Sequence, residues 1–414
     1  MQGTTGKVKG LPNPIPSTSQ RRVSLDGVLG HAWENAVFTA SDAMAAAGIT
    51  RSTAIDVLEE LVELGLLREL PNARVVGDYR KGRPARRFEL RSDAAAIVGI
   101  DAGRGHLIAT VADLRGSTIA RTHLDLDPED DAPEVRLALA EQALDDALAA
   151  AELTRSDVIS LCIGVPAPVD AAGLSPPHRD GFWRRMNPGF AQDFARPIPL
   201  VRVENDAYLA AVAENATGAA VGCDDFIVLL AGERLGAGVA VDGRILRGAH
   251  GGVAEMVAFD RVTGVGGAWG LGYRAAQWAR EAVASGEVDA DHPLAKLRAA
   301  ELDGRHVLEL AASGDPDALR VAQRVGEMLA VITGIFGSLF DPRRVIVSGA
   351  VADGIGPVIE AARRALPDEL DLPMPELHAS SLGAEVVVLG AVAAAVQAAR
   401  DGVLDLPRAR RVGT

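Results

Sequence analysis

The spacing of apolar residues changes near residue 95, and this change divides the chain of 414 residues into two parts. Before it, short helical periods are separated by turns. After it, apolar runs typical of strands alternate with longer helical stretches. Such alternation is typical of α/β domains. We therefore expect a small N-terminal domain followed by an α/β body whose two lobes meet at a cleft.

The body is predicted to contain two successive α/β lobes, over about 95–203 and 204–385, with a last helix at 386–400 and a tail at 401–414. Apolar alternation and runs of four to eight residues define the strands, and longer periodic stretches define the helices. The predicted strands are Ala96–Asp101, Leu107–Leu114, Ser117–Leu126, Val158–Val165, Leu200–Val203, Phe226–Leu230, Ala237–Val241 and Arg344–Ser348. The predicted helices are Glu134–Ala151, Ala207–Glu214, several within 270–340, Val358–Leu366 and Val386–Ala399.

The N-terminal part is predicted to start with a mobile basic arm over 1–23, because this stretch is rich in Gly, Pro, Ser and Thr and has no apolar period. A first helix is expected around Asp26 to Glu34. Thr39 and Asp42 then have the spacing of a capping box, which predicts the start of a second helix that ends at Gly48.

A third helix is predicted after Thr50, which suits the N-cap position, and before Gly65. Ile55, Leu58 and Val62 have the spacing of one helical face. Two helices joined by a short glycine-containing turn are typical of a helix-turn-helix, whose second helix enters the major groove by its first residues. The residues expected at DNA are Thr50, Arg51, Ser52 and Thr53.

The rest of this helix carries Glu59, Glu60 and Glu63, which phosphate groups would repel, so only its first turn is expected to contact DNA. The alternative is a small helical bundle that packs without touching DNA.

A basic segment over 80–87 follows, with five Arg or Lys in eight residues, and then the alternating Phe88 and Leu90. This pattern predicts a β-hairpin wing, so that 24–92 would form a winged helix-turn-helix domain. Basic side chains at such a tip suit phosphate contact and the minor groove. A solvated loop is the alternative. The wing residues expected at DNA are Arg80, Lys81, Arg83 and Arg86.

Charge is distributed unevenly between the two parts. Residues 1–95 hold 13 Lys and Arg against 11 Asp and Glu, whereas the rest of the chain holds 29 against 45. The acidic body would repel nucleic acid, and the head can tolerate it. No apolar run approaches the roughly 20 residues needed to span a bilayer, and the polar start lacks the core of a signal peptide. A cytoplasmic protein with no membrane partner is expected.

The two cysteines, Cys162 and Cys223, each lie in an apolar setting. Two thiols exclude a disulfide framework and a thiolate zinc cluster. We expect both to be buried structural thiols.

Several motifs of the body occur in the order and spacing of one known family. They are Gly164–Val169, Asn187-Pro188-Gly189-Phe190, Val203-Glu204-Asn205-Asp206-Ala207, and Gly236 to Gly252 running into Ala254-Glu255. With these motifs, residues 24–400 resemble the ROK family, which groups sugar kinases with sugar-responsive repressors. The resemblance implies a two-lobed fold of the actin-like, ribonuclease-H-like ATPase class over 95–400.

The resemblance also implies a sugar site. Asp206 stands where the family's kinases have the general base, and amide and carboxylate groups suit the recognition of sugar hydroxyls. The residues expected at the ligand are Asn187, Asn205, Asp206 and Glu255. As an alternative, Asn205 and Asp206 cap the helix that follows them.

Two departures from the family pattern argue against phosphate binding, and two more affect the family's zinc and sugar contacts. The first phosphate loop, which has a Thr in the kinases, is Asp101-Ala102-Gly103-Arg104-Gly105-His106 here, and Arg234 replaces a glycine of the second. Ala258 replaces a His that contacts both zinc and sugar. The segment Val262–Gly272 has no cysteine, so a zinc site and any other cofactor are not expected there.

These observations predict a DNA-binding transcription regulator, without enzymatic activity, that is a repressor of carbohydrate genes. Its expected partners are double-stranded operator DNA, a sugar or sugar derivative, and a second copy of the chain, as a homodimer or homotetramer. Two alternatives remain open: an ATP-dependent sugar kinase that uses Asp206, and a DNA-binding regulator that needs no ligand.

Overall fold

A computed structural model describes residues 17–71, 85–299, 301–366 and 373–407 of the chain. The described residues form two compact units. The first contains the residues up to Ala95 together with 400–407, and the second is Ala96–Ala399.

The described part of the first unit contains three α-helices and a small antiparallel sheet, in which the last of three strands along the chain lies between the other two. Phe38 pairs with Phe88 in this sheet, and Leu67 pairs with Leu90, so that apolar side chains of the three strands reach the buried side. The predicted strand at Phe88 and Leu90 is confirmed, and its antiparallel partner is the strand at Leu67–Leu70. The elements are α1 (Ser17–Glu34), β1 (Phe38–Thr39), α2 (Ala40–Ala47), α3 (Arg51–Glu63), β2 (Leu67–Leu70) and β3 (Arg87–Leu90).

The first helix begins at Ser17, so the prediction of a mobile arm as far as residue 23 is wrong for its last seven residues. Ion pairs of two arginines anchor this part of α1. The Nε of Arg22 lies 2.9 Å from the carboxylate of Asp26, one turn ahead, and the Nε of Arg21 lies 2.8 Å from Glu60 on α3. The rest of the predicted arm, residues 1–16, is outside the described residues.

Both predicted helix starts are confirmed. A carboxylate oxygen of Asp42 accepts the Thr39 N–H at 2.7 Å, which completes the capping box of α2, and Gly48 ends that helix in the left-handed region with φ of 62°. The Thr50 hydroxyl caps α3 by accepting the Thr53 N–H at 3.4 Å.

The buried face of α3 differs from the predicted one. Ala54, Val57, Leu58 and Leu61 are buried, whereas Ile55 and Val62 are only partly covered. The stripe follows the i, i+3, i+4, i+7 spacing of a helix that packs against two neighbours, α1 and α2.

Residues 401–407 are not a free tail, contrary to the prediction. Val403, Leu404 and Leu406 are buried, Arg22 forms an ion pair with Asp405, and Arg400 contacts Glu34 at 2.6 Å. The first unit is therefore built from two segments that are distant in sequence. Residues 408–414 lie outside the described residues.

The second unit is an α/β body in which strands and helices follow the predicted order. The predicted strands at Val158–Val165 and Arg344–Ser348 have the same ends in the structure. The elements are β4 (Ala96–Ala102), β5 (His106–Ala112), β6 (Thr118–Asp125), α4 (Pro133–Ala150), β7 (Val158–Val165), α5 (Phe182–Met186), α6 (Phe190–Phe194), β8 (Leu200–Asn205), α7 (Asp206–Thr217), β9 (Phe226–Ala231), β10 (Leu235–Val241), β11 (Arg244–Ile245), α8 (Leu271–Ser285), α9 (Pro293–Lys296), α10 (Gly304–Ala312), α11 (Pro316–Phe340), β12 (Arg344–Ser348), α12 (Gly356–Ala365), β13 (Glu376–Ala379) and α13 (Val386–Gly402).

Two five-stranded sheets form the body, and they have the same pattern of connections. Their strand orders are β6-β5-β4-β7-β8 and β11-β10-β9-β12-β13. In each sheet the central strand, β4 or β9, pairs antiparallel with the strand that follows it in the chain, β5 or β10. It pairs parallel with the strand on its other side, β7 or β12. The turn between β4 and β5 therefore corresponds to the turn between β9 and β10.

The two sheets are covered by apolar cores of their own. All eight residues of β7 are buried, among them Cys162. Cys162 and Cys223 are both free and buried, as predicted, and burial raises the pKa of the Cys162 thiol. The Cys162 thiol is therefore not suited to act as a nucleophile.

One described segment, Gly383–Asp405, is long and apolar enough to span a membrane by length and composition, contrary to the prediction of no such run. Within its most apolar window, 56% of the residues are buried inside the protein. A helix in the core of a globular protein can have the same length and apolar composition.

Candidate functional sites

The first turn of α3 presents hydroxyl groups and one cation to solvent. The Thr50 hydroxyl lies 3.1 Å from the Ser52 hydroxyl and 2.9 Å from the Thr53 hydroxyl. Arg51 and Ser52 are exposed, and Arg51 makes no ion pair with any residue that the structure describes. These four residues lie together as predicted, and this turn can donate to phosphates or base edges.

Arg86, the one predicted wing contact among the described residues, is bound to carboxylates. Its guanidinium donates to both oxygens of Glu69, at 2.9 and 2.7 Å, and to Glu59 at 3.1 Å. Glu59 is one of the acidic residues of α3, so Arg86 compensates charge that would repel DNA. The other predicted wing contacts, Arg80, Lys81 and Arg83, lie outside the described residues.

In the second unit, Asn205 is the N-cap of α7. Its Oδ1 accepts the Tyr208 N–H at 3.0 Å, and its Nδ2 donates to the Ala167 carbonyl at 3.2 Å and to Asp206 at 3.1 Å. The capping alternative is therefore correct for Asn205. Its amide has few remaining positions for a ligand.

Asp206 opens α7 and uses only one carboxylate oxygen in these contacts. Its Oδ1 accepts the Ala207 N–H at 2.7 Å and the Asn205 amide. Burial, with smaller contributions from the negative charges of Asp101 and Glu255, raises the pKa of Asp206 to about 7. Near neutral pH this carboxyl can both donate and accept, which suits a sugar hydroxyl.

Asp101, at the end of β4, is the buried partner of a histidine. The His106 Nε2 lies 3.0 Å from its carboxylate, and this hydrogen bond raises the pKa of His106. The imidazole also lies against Gly103, where a Cβ would come within 2.6 Å of the ring. His106 therefore occupies the interior of the turn between β4 and β5.

Glu255 follows Ala254, which has a left-handed backbone with φ of 58°. This conformation is unfavourable for a residue with a Cβ. The Glu255 side chain is exposed, but the surrounding protein removes enough water to raise its pKa, while the nearby charges of Arg234 and His178 oppose the shift. The structure thus brings Asp206 and Glu255 into one electrostatic neighbourhood.

Asn187 is buried, and its hydrogen bonds go to a different segment. Its Nδ2 donates to the Gly173 carbonyl and the Ser175 hydroxyl, both at 3.0 Å. Its Oδ1 has no hydrogen-bond partner among the described residues. A buried amide oxygen without a donor costs roughly 1–3 kcal/mol, so this atom can accept from a ligand or water.

A small pocket lies beside Asn205, but neither Asp206 nor Glu255 lines it. Arg247 is among its lining residues, forms a bidentate ion pair with Glu204 and lies over the Tyr208 ring at 4.7 Å. The motif residues Glu204 and Arg247 thus have a structural role that the sequence analysis did not assign.

The two turns that correspond to phosphate loops are joined by an ion pair. Arg104, in the turn between β4 and β5, donates from Nη1 to both oxygens of Glu233 at 2.9 Å. Glu233 lies in the corresponding turn between β9 and β10. The sequence analysis did not predict this pair, because the two residues are separated by 129 positions.

Arg234 replaces a glycine of the second loop and is held by an aromatic ring. Its guanidinium lies 5.0 Å from the centre of the Trp269 ring, and the two residues form an isolated β-bridge. The Gly270 N–H donates to the Glu233 carbonyl at 2.9 Å. This arrangement fills the place where a glycine would allow phosphate to approach.

The segment where the family has its zinc loop is held by an arginine. Arg274 is buried and donates to the Val265 carbonyl at 2.9 Å and to the Gly266 carbonyl. Among the residues that the structure describes, no group of three His, Cys, Asp or Glu is placed to hold a metal ion.

The profile of the ROK family matches residues 97–398, which is most of the chain. The chain belongs to the ROK family. Its membership agrees with the resemblance carried by the motifs around Asp206 and Glu255.

Relatives of this ROK protein include enzymes and repressors. A match of 32% identity to the bifunctional enzyme NanE/NanK of Brucella suis covers 46% of the chain and only 34% of that relative. The transcriptional repressor Mlc of Escherichia coli is 25% identical, over 78% of this chain and 79% of its own. The dual regulator NagC of the same organism is 25% identical, over 83% and 86%. The ROK protein is thus homologous to repressors over most of its length.

Solved structures show the same fold. A ROK family transcriptional regulator, a homologue of Escherichia coli Mlc, matches with a TM-score of 0.71 at 22% identity, covering 94% of this chain and 99% of its own. A ROK family glucokinase from Streptomyces griseus, in complex with glucose and AMPPNP, matches with a TM-score of 0.60 at 26% identity, covering 73% of this chain and all of its own. The body has the actin-like kinase-type ROK fold.

Proposed function

We propose that this ROK protein is a cytoplasmic DNA-binding transcription regulator, a repressor of carbohydrate uptake or utilisation genes whose affinity for DNA is set by a sugar-like ligand. The observation that carries the proposal is the share of this chain that each solved structure matches. The glucokinase matches only 73% of this chain, whereas the regulator matches 94%, so the second likeness extends into the first unit.

In this proposal the first unit is a winged helix-turn-helix. Thr50, Arg51, Ser52 and Thr53 enter the major groove, and the wing that contains Arg80, Lys81, Arg83 and Arg86 contacts phosphates. Support comes from the exposed first turn of α3 and from the antiparallel pairing of β2 with β3. Two copies of the unit in a dimer would read two half-sites.

The ligand site is proposed at Asn187, Asp206 and Glu255, with Asn205 as the cap that orients Asp206. The unpaired Asn187 oxygen, the second oxygen of Asp206 and the exposed Glu255 are available for hydroxyl groups. A ligand that favours one of two states tenfold changes their ratio by about 1.4 kcal/mol, which is enough for regulation.

The experiment is a fluorescence-anisotropy titration of DNA from upstream of the protein's own gene, at several salt concentrations. We expect Arg51→Ala to weaken binding by about tenfold and, if Arg51 contacts phosphate, to lower the salt slope by about one unit. Arg184→Ala, an exposed arginine of the second unit, has the same change of charge and is the control. Equal losses in both variants, or no binding at any salt, would contradict the proposal.

A kinase remains the competing function because Asp206 stands at the position of a general base, and a base with a pKa near 7 suits proton transfer at neutral pH. Protein with ATP, magnesium and a panel of hexoses should show no phosphorylation. Turnover that is abolished in Asp206→Asn would assign the body to a kinase. Calorimetry without any sugar binding would favour the regulator that needs no ligand.

A further inference from the structure

Helix α7 packs against strands of both sheets of the ROK domain, and two ion pairs of different character also connect the sheets. In one of them, Arg247 forms a bidentate pair with Glu204 and lies over the Tyr208 ring. The Glu204 side chain is only 5% exposed. Breaking such a pair leaves a buried charge without a partner, which is strongly destabilising.

In the other pair, Arg104 and Glu233 meet at the tips of the two corresponding turns. Their side chains are 36% and 51% exposed. An ion pair in this setting is readily broken and remade by water and salt. The two connections therefore form a fixed tie and a reversible one.

Both turns are held firmly behind the reversible pair. Arg136 donates from below to the carbonyls of Ala102 and Gly103, at 2.9 and 3.1 Å. Behind Glu233, the Gly270 N–H contacts its carbonyl, and a Cβ at Gly270 would come within 1.8 Å of the Gly232 oxygen. The first turn is thus anchored to α4, and the second to the segment before α8.

The proposed ligand residues lie next to these turns. Asp101 precedes Arg104 in the first turn, and a Cβ at Gly236, three residues after Glu233, would lie 4.0 Å from Asp206 Oδ1. A change in the separation of the turns therefore changes the access to Asp206.

We propose that Arg104 and Glu233 form a reversible latch that positions the two sheets around the ligand, without any nucleotide. This inference rests on the proposed function, in which the site of Asp206 and Glu255 takes a ligand. The two residues are positioning residues. Ligand enters while the pair is broken and is retained while it is formed.

The test uses the full-length protein without ligand or DNA, so a failure of the proposed function does not affect the result. The variants are Arg104→Glu, Glu233→Arg and the double exchange of the two charges. The measurement is amide hydrogen exchange in the turns at 101–106 and 232–236. Each single variant should raise exchange by about two- to fivefold, as expected for the loss of an exposed ion pair, and the double exchange should restore it.

Two controls separate the latch from a general loss of structure. Arg155→Glu breaks a pair of similar exposure with Asp145, between the turn before β7 and α4, and should leave both turns at 101–106 and 232–236 unchanged. Glu233→Gln removes the charge without reversing it, and its thermal unfolding shows whether the fold is intact. In wild-type protein, 1 M NaCl should raise exchange in both turns. Unchanged exchange in the single variants, or no recovery in the double exchange, overturns the latch.

Discussion

The guanidinium of Arg86 holds both oxygens of Glu69, at 2.9 and 2.7 Å, and reaches Glu59 on α3. The side chain that the sequence offers to DNA is therefore bound to two carboxylates in the free protein. Binding of Arg86 to phosphate requires that these contacts be exchanged.

We predict that Glu69→Gln strengthens DNA binding by roughly two- to tenfold at low salt, because it removes a competing negative charge beside Arg86. The salt slope should become steeper by about one unit if Arg86 gains a phosphate contact. Anisotropy titrations at several salt concentrations measure both. Glu34→Gln, which breaks a pair with Arg400 in the same unit, is the control and should have a smaller effect.

A second prediction concerns the left-handed residue before Glu255. Ala254→Gly should raise the free energy of unfolding by about 0.5–1 kcal/mol. The substitution removes the strain of a left-handed alanine, which costs about 1–2 kcal/mol, but glycine loses more backbone entropy on folding, and this offsets part of the gain. Urea denaturation measures the change. Ala249→Gly, in the same loop and without a left-handed backbone, should be destabilising. A loss of stability in both variants would contradict the strain.

A third prediction follows from the carboxyl of Asp206. Its pKa is raised to about 7 from an ordinary 3.8, so the folded state favours the protonated form. This stabilisation is complete below about pH 4 and is lost as the pH rises through 7. Asp206→Asn should therefore become more stable relative to wild type between pH 4 and 7, with a slope on the order of 1 kcal/mol per pH unit at most.

Urea denaturation at pH 4, 5, 6, 7 and 8 measures this difference. Asp260→Asn removes an exposed carboxylate from the same region of the chain and is the control. If the free energies of unfolding of wild type and Asp206→Asn change with pH in parallel, the Asp206 carboxyl has its ordinary pKa in the folded protein.

A fourth prediction concerns the close approach of Gly251 to Val169, in the loop that follows β7. A Cβ at Gly251 would lie 1.9 Å from the Val169 carbonyl oxygen, and φ is +71°. Gly286 has a similar φ of +77° but nothing within 4 Å. Gly251→Ala should therefore destabilise by about 1–3 kcal/mol more than Gly286→Ala, because only the first adds an overlap to the backbone strain. Equal losses by urea denaturation would refute the close contact.

Local signals made much of the fold predictable. The strand at Val158–Val165 is an apolar run between a polar turn and a proline, and Thr39 and Thr50 mark their helices because a cap needs only residues three positions apart. The start of α1 was not predictable in this way, since its first residues, Ser17 onward, have no apolar period. Its anchors come from Glu60 and Asp405, which are distant in sequence.

The candidate site was predictable in part for the same reason. Asp206 and Glu255 belong to contiguous motifs, and the loss of the phosphate-loop residues is visible in the sequence. The pair of Arg104 with Glu233 was not, because ion pairs between distant turns follow no periodicity. The hydrogen bonds of the Asn205 amide with Ala167 and Tyr208 were not predictable either, because they depend on where the fold places those two residues.

The burial of Val403, Leu404 and Leu406 in the first unit has a consequence for the design of fragments. A fragment that stops at residue 95 lacks apolar side chains that belong to this unit. A fragment made to study the first unit by itself would therefore need the segment 400–407 as well, joined through a linker that replaces the second unit.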